Sequence, residues 1–219
     1  MTEEEARAWI DRHVPRETAA ALERLVAMVL NEMPNQNLIA ASTADHIWTR
    51  HIVDSAQLLP LAPDGARRWI DLGSGAGFPG LVVSLMRPEL EMILVESRRK
   101  RIDFLRFMAE SLGLADRVAV AGQRLELLEA SPQDVISARA FAPLDRLLPL
   151  AHRFSHPGTV WLLPKGRSAV SELEAVTGSW QGDFRVVPSM TDSEAAIIVA
   201  SQVRPNATRQ KAKRQKEHR

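Results

Sequence analysis

Through residues 1–62 the apolar positions fall at helical spacing, and beyond residue 65 they gather into short runs separated by amphipathic stretches. Leu22, Leu25, Val26, Val29, Leu30 and Met33 mark one face of a helix that Pro34 closes, and Pro15 separates it from a shorter first helix. Thr2 followed by Glu5 matches a capping box, in which hydroxyl and carboxylate each accept a backbone N–H at the helix start. Residues 35–42 read as a loop, and Ile47, Trp48, His51, Ile52, Ser55 and Leu59 predict another amphipathic helix before Pro60. Ala62-Pro63-Asp64-Gly65 is the expected boundary.

Beyond it the pattern predicts strands near 67–72, 92–96, 117–121, 134–138, 158–163, 184–188 and 196–203. Helices are expected near 79–87, 98–112, 124–130, 143–154 and 168–177. Strands alternating with helices imply a mostly parallel sheet covered on both faces. The last two strands have no helix between them, so they should form an antiparallel hairpin at the sheet edge.

The chain has 219 residues, 45% of them hydrophobic, enough for one α/β domain with an appendage and a real core. No run approaches the length of a membrane span, and the acidic start Met-Thr-Glu-Glu-Glu is unlike the basic start of a signal peptide. The absence of cysteine excludes disulfides, thiolate metal sites and a Cys nucleophile, and fits a cytoplasmic enzyme with no metal. From Arg204 onward seven basic residues face one acid, so the tail carries +6 and leaves −5 on the rest of a +1 chain. Such a tail reads as disordered, either attracted to nucleic-acid phosphates or merely solubilising.

The most informative stretch is Asp71-Leu-Gly73-Ser-Gly75-Ala-Gly77-Phe78-Pro-Gly80, at the first strand-to-helix junction. Glycines so dense demand a sharply turning backbone that lets a ligand come close. Pro79 suits a first helical turn, where its missing N–H costs nothing. Gly75-x-Gly77-x-x-Gly80 satisfies the dinucleotide fingerprint, with Glu96 at the tip of the next strand as the ribose-binding acid. The overlapping Asp71-x-Gly73-x-Gly75-x-Gly77 fits the S-adenosylmethionine (SAM) loop of methyltransferases at least as well. Pyrophosphate asks for bare N–H groups, whereas SAM brings an ammonium and a sulfonium and welcomes the carboxylate of Asp71. SAM leads on these residues. Strand–helix units capped by a hairpin also match the Rossmann-like, seven-stranded class I SAM-dependent methyltransferase fold. Here it would occupy 65–203, between an N-terminal helical extension at 1–64 and the basic tail at 204–219.

In open α/β sheets ligands bind beyond the carboxyl ends of the strands. Those ends offer Asp71 with Gly73 to Phe78, then Glu96, Gly122 to Glu126, Arg139 and Lys165. Gly122–Glu126 stands where adenine would be held. Arg139, and with a weaker case Lys165, stand where acceptor and methyl donor meet; a guanidinium there can hold a phosphate or base carbonyl or stack on a ring. His51, beside Arg50 and Asp54, reads as a structural histidine, and Arg98–Arg101 as a solvated helix face. Methylation of a pyrimidine carbon needs a nucleophile such as Cys, which is missing. Exocyclic-amine methylation is marked by an Asn/Asp-Pro-Pro-aromatic loop, where this chain has Ala138-Arg-Ala-Phe-Ala-Pro143. Guanine N7 has an in-plane lone pair and needs alignment more than acid–base help.

Asn37-Leu38, Arg50-His-Ile-Val-Asp-Ser55, the Asp71–Gly80 loop, Glu96-Ser97, Lys100-Arg101, Phe104-Leu105, Arg124-Leu-Glu126, Ser137-Ala-Arg-Ala-Phe-Ala142 and Lys165-Gly166 together resemble one family. It is the bacterial small-subunit ribosomal RNA guanine-N7 methyltransferases, first named glucose-inhibited division protein B, and the resemblance runs from about residue 20 to 200. It implies that Gly73 and Phe78 contact SAM, that Leu125-Glu126 hold the adenine side and that Arg139 completes the cofactor pocket. It implies small-subunit (16S) RNA or the small subunit as partner; nothing in the sequence demands more than a monomer. Two departures stand out: the family often has Asp at Glu96, and it usually reads Ser-Arg where this chain interposes Ala138. An oxidoreductase would need a proton-relaying residue that a chain without Tyr does not offer. A methyltransferase acting on another RNA and a non-catalytic RNA-binding protein retaining the fold are the remaining alternatives.

Overall fold

The computed structural model describes residues 1–206, beginning with α1 (Glu3–His13) and α2 (Arg16–Glu32). The expected capping box starts α1: Thr2 Oγ1 accepts the Glu5 N–H at 3.1 Å, and the Glu5 carboxylate accepts the Thr2 N–H at 2.7 Å. The helix expected over 47–59 takes an irregular form. Ala41–His46 is 3-10, Trp48–Val53 is wound as a π-helix, and only Asp54–Ala56 (α3) is regular. The segment 41–46 carries no apolar stripe, so its sequence predicts no helix, and it overlaps the end of the loop expected at 35–42. The Glu3 carboxylate accepts the Trp48 and Thr49 N–H groups at 3.0 and 2.7 Å, fixing where the π winding starts.

The sheet contains β1 (Arg68–Leu72), β2 (Glu91–Val95), β3 (Val118–Ala121), β4 (Val135–Ala138), β5 (Val160–Lys165), β6 (Trp180–Pro188) and β7 (Ala196–Pro205). Its order is β3-β2-β1-β4-β5-β7-β6; β1 to β5 are parallel, and β7 runs antiparallel between β5 and β6. The expected hairpin is therefore present, with its second strand inserted next to β5. Helices α4 (Gly80–Met86), α5 (Arg99–Ser111), α6 (Leu144–Ala151) and α7 (Ala169–Val176) connect the strands.

Side chains alternate across the sheet with period two. Trp69, Met92, Leu94, Val135 and Leu162 face one core, built with α1, α2, α4 and α5. Ile70, Leu72, Val95, Ile136, Trp161 and Leu163 face the other, built with α6 and α7. Each fully buried large side chain is worth about 1.5–3 kcal/mol, so these two layers fix the strand ends in space. Residues 1–64 share the first core with the sheet.

Other expectations also differ from the structure, and β6 begins at Trp180, four residues before the strand expected at 184–188. The helix expected at 124–130 is a single 3-10 turn, Leu125–Leu127. Arg153 donates to the Leu125 carbonyl and, at 2.6 Å, to that of Leu128, satisfying these carbonyls without a helix, and Pro132 blocks continuation. β5 runs through Pro164 to Lys165, although proline usually ends a central strand. β7 continues through Pro205, past the boundary expected at 203, so Arg204 belongs to a strand. The remainder of the basic tail, from residue 207, lies outside the described residues.

Candidate functional site

β1 lies between β2 and β4, so consecutive connections leave it in opposite directions and open a crevice at the carboxyl ends of the strands. Two cavities occupy that crevice. The smaller, about 320 Å³, is lined by Gly73, Glu96, Arg101, Leu125, Glu126 and Phe141, among others. The larger, about 610 Å³, is lined by residues of 43–57, the β4 and β5 ends and the β6–β7 connection. Ala140 and Phe141 line both and form the wall between them.

The glycine loop forms one side of the smaller cavity. Gly73 has φ +69°, and a Cβ there would lie 2.6 Å from Phe141 Cδ2. A Cβ at Gly77 (φ +96°) would lie 2.3 Å from Leu81 Cδ1. Both positions therefore require glycine, for backbone conformation and for space. The peptide bond Phe78–Pro79 is cis. Asp71 is fully buried behind the loop: its carboxylate accepts the Ser137 hydroxyl at 2.7 Å and the Gly80 N–H at 3.3 Å. Burial raises the Asp71 pKa, against the opposing pull of these hydrogen bonds and of Arg139. Ser137 also accepts the Trp69 indole N–H at 2.9 Å, so one hydroxyl ties loop, β4 and core together.

At the β2 end, Glu96 Oε1 accepts the N–H groups of Ser97 (2.7 Å) and Arg98 (2.9 Å), which fixes its carboxylate at the cavity. Arg101 Nη1 lies 3.7 Å from Glu96 Oε2, and Nη2 donates to the Asn37 carbonyl at 2.8 Å. Leu125 presents an apolar surface, while Glu126 is largely exposed and pairs with Arg124 at 3.2 Å.

Arg139 is the first residue past β4, because Ala138 still pairs with Leu72; Ala140, at φ +52°, then turns the chain. The Arg139 guanidinium donates to the Arg50 carbonyl (3.1 Å), Asp54 Oδ2 (3.2 Å) and His51 Nδ1 (3.0 Å). A guanidinium only donates, so Nδ1 is the acceptor and the His51 proton sits on Nε2, 2.9 Å from Thr43 Oγ1. Burial, then the charges of Arg139 and Arg50, lower the His51 pKa to about 3, leaving the ring neutral. Lys165 donates to Glu172 at 2.8 Å and to the Ala142 carbonyl at 2.9 Å. Burial works against the Glu172 charge, yet the bonds from Lys165, Ser168 and Leu144 hold its carboxyl below the ordinary value.

The family model for rRNA small subunit methyltransferase G (GidB) matches residues 18–197. The chain belongs to that family. A protein of that name from Rhizorhabdus wittichii is 80% identical over 215 residues, spanning 98% of this chain and 99% of that protein. Another, from Zymomonas mobilis, is 51% identical over 215 residues, spanning 94% and 96%. Among solved structures, cofactor-bound Rv0187 from MTB superposes with TM-score 0.60 at 16% identity, covering 84% of this chain and 90% of that one. The O-methyltransferase from Bacillus cereus in complex with SAH gives 0.57 at 17% identity, covering 81% and 90%. At such identities these two show the fold alone. Membership in the methyltransferase G family makes the chain a SAM-dependent methyltransferase of small-subunit ribosomal RNA and sets the nicotinamide reading aside.

Within this methyltransferase G member, Gly73, Glu96, Leu125 and Glu126 come together at the smaller cavity, and Arg139 and Lys165 at the larger. Asp71 lines neither cavity; its carboxylate braces the loop, where the sequence suggests a partner for an ammonium group. Phe78 is buried, with its ring centroid 5.0 Å from that of His51 and 5.5 Å from the Arg139 guanidinium carbon. Arg101, read from sequence as part of a solvated helix face, reaches the smaller cavity. His51 and Asp54 surround Arg139, a role no local pattern announces. The residues present fit SAM: Glu96 for ribose hydroxyls, Leu125 for an apolar ring face, and Gly73 where a Cβ would intrude.

Proposed function

We propose that this methyltransferase moves the methyl group of SAM to N7 of a guanine in small-subunit (16S) ribosomal RNA, acting as a monomer in the cytoplasm. The observation that carries this reading is the pair of cavities sharing the Ala140–Phe141 wall, one suited to a nucleoside cofactor and the other carrying the cations Arg50, Arg139 and Lys165 on its lining, with its His51 and Lys165 already engaged. Among the described residues no helix is long and apolar enough to cross a membrane.

Bound SAM supplies an electrophilic methyl on a sulfonium. Gly73, Gly75 and Gly77 let the backbone approach the cofactor, Asp71 braces that loop, and Phe78 backs it. Glu96 binds the ribose hydroxyls, Leu125 and Glu126 hold the adenine side, and Phe141 closes the wall. Arg139 and Lys165 line the acceptor side, where a purine carbonyl and RNA phosphates offer acceptors. Both ring nitrogens of His51 are engaged, and Lys165 is held by Glu172. Neither is available as a general base. Guanine N7 needs none, since its lone pair is already free, and the work left to the protein is alignment and exclusion of water.

Incubation with methyl-labelled SAM and small subunits lacking the modification, followed by RNA digestion, should place the label in 7-methylguanosine. Label in another nucleoside would overturn the N7 assignment, and no label with SAM bound would favour a binding protein. Arg139→Ala should lower methylation by a factor on the order of 100 or more, as removal of an interaction made at the reacting centre does. Near-normal turnover would remove Arg139 from the site.

A further inference from the structure

One irregular helical turn supplies the hydrogen-bond acceptors of Arg139. Arg50 gives its carbonyl, His51 its Nδ1 and Asp54 its Oδ2, at 3.1, 3.0 and 3.2 Å. The first two lie in the π-wound segment and the third immediately follows it. Such windings recur at functional sites, because the wider turn re-aims groups that an α-helix would fan apart. Beneath the guanidinium lies the Phe78 ring, with the His51 ring against the same phenyl group at an interplanar angle of 27°. The side chain keeps 20% exposure toward the larger cavity. Arg139 is therefore seated on several sides and open on one.

The seat has a second attachment. Asp54 Oδ1 accepts the Thr191 hydroxyl at 3.0 Å and the Gln57 amide at 2.8 Å. The Gln57 carbonyl oxygen accepts the Met190 N–H at 2.8 Å, and Arg50 pairs with Asp192. Thr191, Met190 and Asp192 belong to the β6–β7 connection, which walls the larger cavity. One carboxylate thus holds both the guanidinium at the β4 tip and the wall opposite it.

We propose that His51 and Asp54 are positioning residues that seat the Arg139 guanidinium, and that Asp54 couples this seat to the β6–β7 connection through Thr191. The inference rests on Arg139 acting at the acceptor cavity, as proposed above. A guanidinium fixed in advance pays less entropy when it meets its acceptor. An RNA that presses on the β6–β7 connection would be felt at Arg139 through Asp54, beside the Arg50–Asp192 pair.

The test uses the full chain with small-subunit RNA and labelled SAM. His51→Phe keeps a ring against Phe78 and removes the Nδ1 acceptor; His51→Asn returns an acceptor oxygen near that position. Since a hydrogen bond to a charged group contributes about 10-fold or more, kcat should fall roughly 10-fold in His51→Phe and Asp54→Asn, and about 3-fold in Thr191→Val. His51→Asn should recover most of the deficit, while the dissociation constant for S-adenosylhomocysteine stays within about 3-fold of wild type throughout. A second readout needs no RNA: the Arg139 guanidinium resonances should exchange slowly with solvent in the wild type and rapidly in His51→Phe and Asp54→Asn. Unchanged resonances and unchanged kcat would overturn the seat. So would equal deficits in His51→Phe and His51→Asn that track a lowered melting temperature, because that is a folding role. If the resonances respond as expected but the wild type methylates no RNA, the seat stands and the proposed reaction falls.

Discussion

His51 accepts from Arg139 through Nδ1 and faces the Thr43 hydroxyl through Nε2, and burial with the two neighbouring guanidiniums lowers its pKa from 6.5 to about 3. The unfolded chain therefore takes up a proton near pH 6.5 that the folded protein refuses until about pH 3. The stability linked to this residue is complete above pH 6.5 and drains away as the pH falls toward 3. His51→Phe lacks this contribution. Its stability difference from the wild type should shrink by up to about 1.4 kcal/mol per pH unit below 6.5, measured by denaturant unfolding at several pH values. A difference constant between pH 7.5 and roughly 5 would contradict a neutral buried imidazole.

Between elements, the most consequential tie is the Glu3 carboxylate, which takes two backbone N–H groups where the π winding begins. Glu3→Ala leaves both donors unpaired in a largely buried place and should cost about 1–3 kcal/mol in unfolding free energy. It should also loosen the turn that carries His51, so methylation should fall by more than the smaller folded fraction explains, checked by activity per folded molecule. The elements themselves were largely legible in the chain, because period-two and helical stripes encode burial directly. The Asp71–Gly80 loop and the Arg139 position were legible too, the first from glycine density and the second as a cation at the tip of an apolar strand. Contacts between distant residues were not. His51 and Arg139 lie 88 positions apart, and nothing local to either reveals the other. Pro164 inside β5 and the failed helix at 124–130 were hidden for a related reason: strand pairing and the Arg153 side chain overrode local preference.

For the whole molecule, the sheet separates two cores and leaves its chemistry at the carboxyl ends of its parallel strands. Residues 1–64 belong to the core that also buries Trp69, so the helix around His51 is held by the same packing that sets β1. Charge is distributed less evenly than apolar bulk, since residues 207–219 carry six basic side chains against one acid. Removing them should flatten the dependence of log KM for RNA on log salt by about 0.7 or more for each phosphate no longer neutralised, with kcat at saturating RNA within about 2-fold. An unchanged slope would make the tail a solubilising end.

The common wall of Ala140 and Phe141 has a pharmacological consequence. Two adjoining chambers separated by a single pair of residues invite one tethered inhibitor, part nucleoside and part purine. Its second half would dock at the effective concentration set by a short linker, on the order of millimolar, rather than at its own dilution. Substituting a bulkier residue for Ala140 would then cost such a compound both anchor points at once, giving resistance a single address on the chain.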